Sequence, residues 1–193
     1  MALPLAHAAA GYLAYEACRP AEAHRVGWLV AAVILANAPD VDFLPGLALG
    51  APEAFHRGVT HTTGAVVTVA LLAAMLGRRC GVTSWRAARF AALAYGSHLL
   101  VDFLSADAVP PAGGPFLWPF SDAYWIAARP WLPEVILDRS SPGAFLGGLL
   151  GAEAARVWVT EGLLLAAVVV GVRAVRALGH ARVVLSTEAT SGR

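Results

Sequence analysis

The chain has 193 residues, 58% of them hydrophobic and only 14% charged, with a mean hydropathy of +0.63. That composition is too apolar for an ordinary soluble domain, and the length suits one domain. A net charge of +1, with fourteen arginines and no lysine, supplies no field for nucleic acid. Cys18 and Cys80 stand alone, which argues against a disulfide framework and a thiolate metal site.

Five helices are predicted in chain order. Residues 3–17 form a short apolar helix carrying His7; it lacks a basic leader and runs into Glu16 and Arg19, which reads as a retained helix and not a cleaved signal peptide. Pro20 opens a second helix to about Ala38, where Pro39, Asp40 and Asp42 end it. Residues 39–61 read as a loop punctuated by proline and glycine. A third helix, Thr62 to Leu76, stops at Gly77, and Ser84 caps a fourth that reaches about Leu104. Residues 105–152, rich in Pro, Gly and Trp, form a long, partly ordered loop before a last helix from about Glu153 to Leu178. Residues 181–193 read as a polar, frayed tail.

The expected fold is all-α: a polytopic membrane bundle of about five helices, with residues 1–180 as one membrane-embedded domain. A span needs about 20 residues. The second, fourth and fifth helices reach that length; the first and third are short and need shielding by neighbours. Arg19, Arg25, Arg78, Arg79, Arg86, Arg89, Arg173, Arg176 and Arg182 fall at one set of helix ends, and Arg57, Arg129, Arg139 and Arg156 at the other. The positive-inside rule makes the first set cytoplasmic, with the N-terminus outside and the C-terminus inside. His98, nine residues past Arg89, then lies roughly 14 Å along its helix at about 1.5 Å per residue. That is about halfway through a hydrocarbon core of about 30 Å.

Ionisable residues inside apolar runs are costly and so mark function by default. Here they come in order: His7, then Asp40 and Asp42, then His56-Arg57-Gly58-Val59-Thr60-His61, then His98 and Asp102. All fall toward the outward side. His98 and Asp102, at i and i+4, project from one helix face; a plain buried His–Asp hydrogen bond competes with a metal-binding role for that pair. Asp40 and Asp42, on alternate positions of an extended exit, point opposite ways. Asp40 is therefore the expected ligand, with Asp42 behind it or at a second ion. Either His56 or His61 can serve as a ligand, Gly58 permits a tight backbone, and Arg57 offers a fork for phosphate or carboxylate. Glu161 is a weaker candidate that can snorkel outward, and His24 and His180 read as solvated. Trp118-Pro119-Phe120-Ser121, with Trp125 and Trp131, suggest an interfacial aromatic belt or a lid.

The order of these segments resembles the YdjM-like family of predicted inner-membrane, metal-dependent hydrolases, some described as LexA-binding. The likeness is carried by His7, Pro39-Asp40-Val41-Asp42, the segment His56 to Thr62, His98-x-x-x-Asp102 and Trp118-Pro119-Phe120-Ser121, over about the first 125 residues. A more distant likeness is to zinc-dependent phospholipase C and P1 nuclease. That likeness implies that Asp40, one of His56 and His61, His98 and Asp102 hold one metal, with His7 sharing Asp102 around a second. A later histidine and a second His-x-x-x-Asp/Glu pair are lacking here, so two ions are the most it implies.

The expected protein is a multi-pass inner (plasma) membrane hydrolase of an ester or phosphodiester, with a lipid-like substrate and one or two zinc or manganese ions. Imidazole and carboxylate are the donor mix such ions accept. His7, Asp40, His56, His61, His98 and Asp102 are the candidate ligands, and Arg57 and Asp42 the candidate catalytic groups. The lipid bilayer is the expected partner, and nucleic acid is not. The rival readings are a non-enzymatic scaffold or regulator with a structural metal, and a metal transporter. A transporter needs polar residues continuing inward, where the third and fifth helices are nearly pure Ala, Val and Leu.

Overall fold

The computed structural model describes residues 2–18 and 25–191, with side chains up to residue 179. Arg19, Pro20 and His24, and the side chains of His180 and Arg182, lie outside the described residues. Every regular element among the described residues is helical: α1 (Pro4–Cys18), α2 (Arg25–Asn37), α3 (Phe43–Ala48), α4 (Thr63–Arg79), α5 (Ser84–Leu104), α6 (Pro142–Gly148) and α7 (Ala152–Ser191). The five predicted helices correspond to α1, α2, α4, α5 and α7. The last runs past the expected boundary at residue 180.

The predicted loop 39–61 is partly helical. A 3-10 turn, Ala38–Asp42, leads directly into α3, and a second such turn, Val59–His61, precedes α4. Asp40 and Asp42 are therefore not on extended chain. They still diverge, because at three residues per turn two positions differ by about 240°.

Gly77 does not end its helix. A Cβ there would lie 2.6 Å from that of Ala87, so it is the point where α4 and α5 touch. The stop comes at Gly81, with φ +72°. There Val82 N–H bonds the Gly77 carbonyl (2.9 Å) and Gly81 N–H that of Arg78, a Schellman ending. At the other end Thr62 Oγ1 caps α4 by accepting from Ala65 N–H at 3.1 Å.

Close packing of α1 on α2 has the same cause. A Cβ on Gly11 would meet the Ala32 carbonyl and the Ala36 Cβ, both at 2.8 Å. Small residues let helix backbones approach where lipid gives no hydrophobic drive between helices. α7 packs on α1, where Glu161 is fully buried and accepts from Leu3 N–H (2.5 Å) and Ala6 N–H (2.9 Å). The snorkelling expected of Glu161 is thus replaced by a cap on the open N–H groups of α1.

Among the described residues, two segments are long and apolar enough to cross a membrane, Arg25–Ala48 and Ala152–Gly179. α1 and α4 are short, at 15 and 17 residues, and α5 carries Arg86, Arg89 and Asp102. None of the most apolar window of α7 is buried. α4 has no buried residue either, and Leu71, Leu72, Met75, Val159, Leu163 and Val170 are exposed. An apolar surface on this scale needs an apolar surrounding.

The long loop after α5 is tied down by backbone hydrogen bonds. Ala127, Trp131 and Leu132 N–H groups satisfy carbonyls of Phe103 and Leu104, at 2.8–3.2 Å. Thr63 N–H and Gly64 N–H bond the carbonyls of Phe116 and Trp118. The loop thus closes the end of the bundle formed by the start of α4 and the end of α5. Phe120 and Trp131 remain exposed.

Candidate metal centre

Four elements bring their ionisable residues to this closed end. α1 supplies His7 in its second turn, and the turn after α2 supplies Asp40. The turn before α4 supplies His61, and the last turns of α5 supply His98 and Asp102. His7, His61, His98 and Asp102 are buried, whereas the Asp40 side chain is 23% exposed and marks the accessible side.

The hydrogen bonds behind the histidines fix their tautomers. His98 Nδ1 lies 2.8 Å from the Ala36 carbonyl, which only accepts. The neutral ring therefore keeps its proton on Nδ1 and presents a lone pair at Nε2. His61 Nδ1 lies 3.0 Å from Thr60 Oγ1, whose own proton goes to Asp42, and 3.2 Å from Asp42 Oδ2, so the neutral ring likewise carries its proton on Nδ1 and its lone pair on Nε2. Those two Nε2 atoms stand 3.1 Å apart. Two lone pairs so placed repel unless a cation or a proton lies between them. Imidazoles bound to one tetrahedral zinc at about 2.0–2.1 Å have nitrogens about 3.3 Å apart, close to this spacing.

Carboxylates surround the pair. Asp40 Oδ1 is 3.6 Å from both Nε2 atoms. Asp102 Oδ2 is 3.3 Å from that of His98 and 3.5 Å from that of His61. His7 stacks on His98 with ring centres 3.9 Å apart, and its Nε2 is 3.7 Å from Asp102 Oδ1. Both nitrogens of His7, Asp102 Oδ2 and His56 Nε2 are buried without a hydrogen-bond partner. Orphaned buried polar atoms are rare, and a divalent ion would satisfy Asp102 Oδ2 and the lone-pair nitrogen of His7. Three overlapping groups have donor atoms within 4.8 Å of one another: His7, Asp40 and His98; Asp40, His56 and His61; and His61, His98 and Asp102. The residues present fit a metal ion.

Asp42 sits behind this layer. Its carboxylate meets His56 Nδ1 (3.1 Å) and His61 Nδ1 (3.2 Å), and Thr60 Oγ1 donates to it at 2.7 Å. The six candidate ligands thus gather in one place, with His56 at the rim: its Nδ1 is taken by Asp42 and lies 4.0 Å from Asp40. Arg57 stands apart from the cluster. Its guanidinium pairs with Asp107 and donates to the Gly113 carbonyl at 2.9 Å.

The unusual backbone in this segment belongs to Arg57, at φ +57°, and not to Gly58, at φ −82°. A left-handed non-glycine residue costs about 1–2 kcal/mol, which the ties to Asp107 and Gly113 offset. Burial works to raise the Asp107 carboxyl, but the Gly113 N–H and the Arg57 guanidinium outweigh it and hold it below its ordinary value.

Thr60, the Ala36 carbonyl and Asp107 were not legible as parts of this site. Thr60 lay inside the His56–His61 segment without a role, Ala36 is an unremarked helix residue, and Asp107 is an isolated acid in a loop. Glu161 did carry a signal, an acid in an apolar helix, but its partners are backbone groups 155 and 158 residues away.

Neither a curated protein nor a solved structure matches the chain. The family model of the YdjM inner membrane protein matches residues 1–179, so the chain belongs to the YdjM inner membrane protein family.

Proposed function

We propose that this is a multi-pass membrane hydrolase that holds one or two divalent ions, zinc above others, and cleaves an ester or phosphodiester at the outer face. The reading rests on one observation: the Nε2 atoms of His61 and His98 face each other 3.1 Å apart among the carboxylates of Asp40 and Asp102. His61 is the better ligand than His56, whose Nδ1 is engaged by Asp42. His61, His98, Asp102 and Asp40 hold one ion, and His7 with a shared carboxylate supports a second. When bound, the ion supplies Lewis acidity and lowers the pKa of a water.

The chain's own residues do the rest. Asp42 and the Ala36 carbonyl fix the imidazoles. Arg57, pre-oriented by Asp107 and Gly113 through Nη1, keeps other N–H groups, among them the unpartnered Nε, to donate to an anionic oxygen of the substrate. Arg78, Arg79, Arg86 and Arg89 lie at helix ends away from the cluster, and Arg176 of α7 pairs with Glu16 near the end of α1 opposite His7, which supports an outward-facing site. A site at that depth favours a lipid-like substrate, and the likeness to phospholipase C and P1 nuclease supports phosphodiester chemistry.

The test is metal content and turnover of the purified chain on activated phosphodiester, ester and amide panels. One or two zinc or manganese equivalents and slow cleavage are expected. Asp102→Asn, nearly isosteric but uncharged, should lose metal and activity together. Arg57→Ala should keep its metal and lose on the order of 10²-fold in rate. Tightly held metal without turnover on any panel would replace this reading with that of a scaffold built on a structural ion.

A further inference from the structure

Beside the cluster lies a cavity of about 370 Å³ walled by the 105–141 loop and the segment around His56. That volume falls in the range of small-molecule sites. His56 belongs to both places: it borders the cluster through Asp42 and also lines the cavity. Its side chain is only 7% exposed, and its Nε2 has no partner. Because Nδ1 is spent on Asp42 and Phe43 stacks on the ring face at 3.9 Å, the Nε2 edge is what remains for an occupant.

The charge in this cavity is unbalanced in one direction. Arg57 and Arg139 line it, but each is neutralised by a carboxylate of the same wall, Asp107 for the first and Glu53 for the second (2.5 Å). Glu134 is the third carboxylate, and its hydrogen-bond partner is a backbone group, Ala108 N–H at 2.9 Å. No cation offsets it among the described residues. Tyr124 lines the same space and offers an aromatic face, the surface that attracts ammonium groups. A cavity with two satisfied guanidiniums, one unmatched carboxylate and an aromatic ring selects for positive charge.

We infer that this cavity receives the ammonium-bearing end of the substrate, so that the ester or phosphodiester cleaved at the cluster carries an amine held by Glu134. The inference rests on the proposed hydrolase reading for the identity of the cleaved bond. The amine preference itself is a property of the cavity. The same chemistry is offered by a free amino-alkyl phosphate and by a lipid headgroup of the ethanolamine type.

Binding and turnover are to be measured separately on the full chain in detergent. The probes are phosphoethanolamine and glycerol 3-phosphate, which differ chiefly in amine against hydroxyl, titrated calorimetrically. Dihexanoyl phosphatidylethanolamine and dihexanoyl phosphatidylglycerol, kept below micelle formation, form the lipid arm. Wild-type protein should bind the amine member of at least one pair tenfold or more tightly. Glu134→Gln, nearly isosteric, should abolish that preference and leave the hydroxyl member unchanged. A preference confined to the lipid pair names a lipid headgroup; one shown by the soluble pair names a free phosphate ester. Equal affinities in both pairs, or a preference that survives Glu134→Gln, would overturn the inference. Absence of turnover with the preference intact would instead count against the hydrolase reading alone.

Discussion

Replacing Asp42 tests whether the cluster is a metal centre with an organised outer layer. Its carboxylate accepts from three side chains, His56, His61 and Thr60, at 3.1, 3.2 and 2.7 Å. In Asp42→Asn one oxygen can still serve His61 and Thr60, but the amide N–H₂ then faces the His56 Nδ1 proton, and that contact is lost or the ring changes tautomer. In Asp42→Ala all three partners are released, and His61 is free to move its proton to Nε2, the atom that must bind metal. Carboxylates behind ligating histidines contribute about 10–100-fold to affinity, or about 1.4–2.7 kcal/mol. Asp42→Asn belongs near the lower bound and Asp42→Ala near the upper, with stoichiometry unchanged at saturating metal. Competition against a chromophoric chelator reads both numbers. Wild-type affinity in Asp42→Ala would mean that His61 is not a ligand. Loss of one whole equivalent would mean that Asp42 is itself one.

Glu161→Ala leaves the N–H groups of Leu3 and Ala6 unsatisfied at the α1–α7 contact. At about 1–3 kcal/mol for each orphaned group, thermal unfolding in detergent should show a clear loss, and Glu161→Gln a smaller one; an unchanged midpoint would remove the latch from the fold. A topology reporter fused after Arg79 should read cytoplasm and one inserted near Gly113 the outside, and the reverse pattern would place the cluster on the inner face. The Asp107 carboxyl titrates below its unfolded value of about 3.9, so its tie to Arg57 stabilises the loop above that pH and is lost as pH falls through the lower, folded value. Hydrogen exchange at residues 107–114 should therefore be slow at pH 5 and accelerate below about pH 4, and Asp107→Asn should open the same segment at neutral pH.

The long helices were legible because apolar runs of their length have few other uses; α5 ends at Leu104 as expected, but its N-cap is Thr83, without a side-chain bond, and Ser84 is its first helical residue. The errors came from residues with two physical meanings. Gly77 reads as a stop signal but is a contact that only a residue without a Cβ can make. The Pro39-to-Asp42 exit reads as extended chain but winds into a 3-10 turn. The cluster was legible as a set because six ionisable residues in apolar surroundings need a common reason. The roles within it were not, since they depend on which ring nitrogen faces which oxygen. Asp40 was expected in front of Asp42, and His61 lies between them, with Nε2 toward Asp40 and Nδ1 toward Asp42. Glu161 was invisible as a partner because hydrogen bonds to distant backbone leave no local pattern, and Asp107 because the guanidinium it pairs with, that of Arg57, is 50 residues away.

The placement of the cluster has a consequence for how the bundle holds together. Its candidate ligands come from α1, the turn after α2, the turn before α4, and α5, so an ion held there would tie four elements at one end. α4 has no fully buried residue, and it meets α5 through the small pair Gly77 and Ala87 and through Ala65, Val66 and Val69, which pack against the cluster of Tyr95, Leu99 and Phe116. In a bilayer, helices gain nothing hydrophobic by meeting, so this polar end carries much of the specificity of assembly. The loop contacts at Thr63, Gly64, Phe103 and Leu104 close the same end. The residues that recognise an ion and those that fix the helices are therefore largely the same residues. A site made this way cannot be loosened without loosening the bundle, which is why the variants informative about chemistry are the near-isosteric ones, Asp102→Asn and Asp42→Asn, and not truncations.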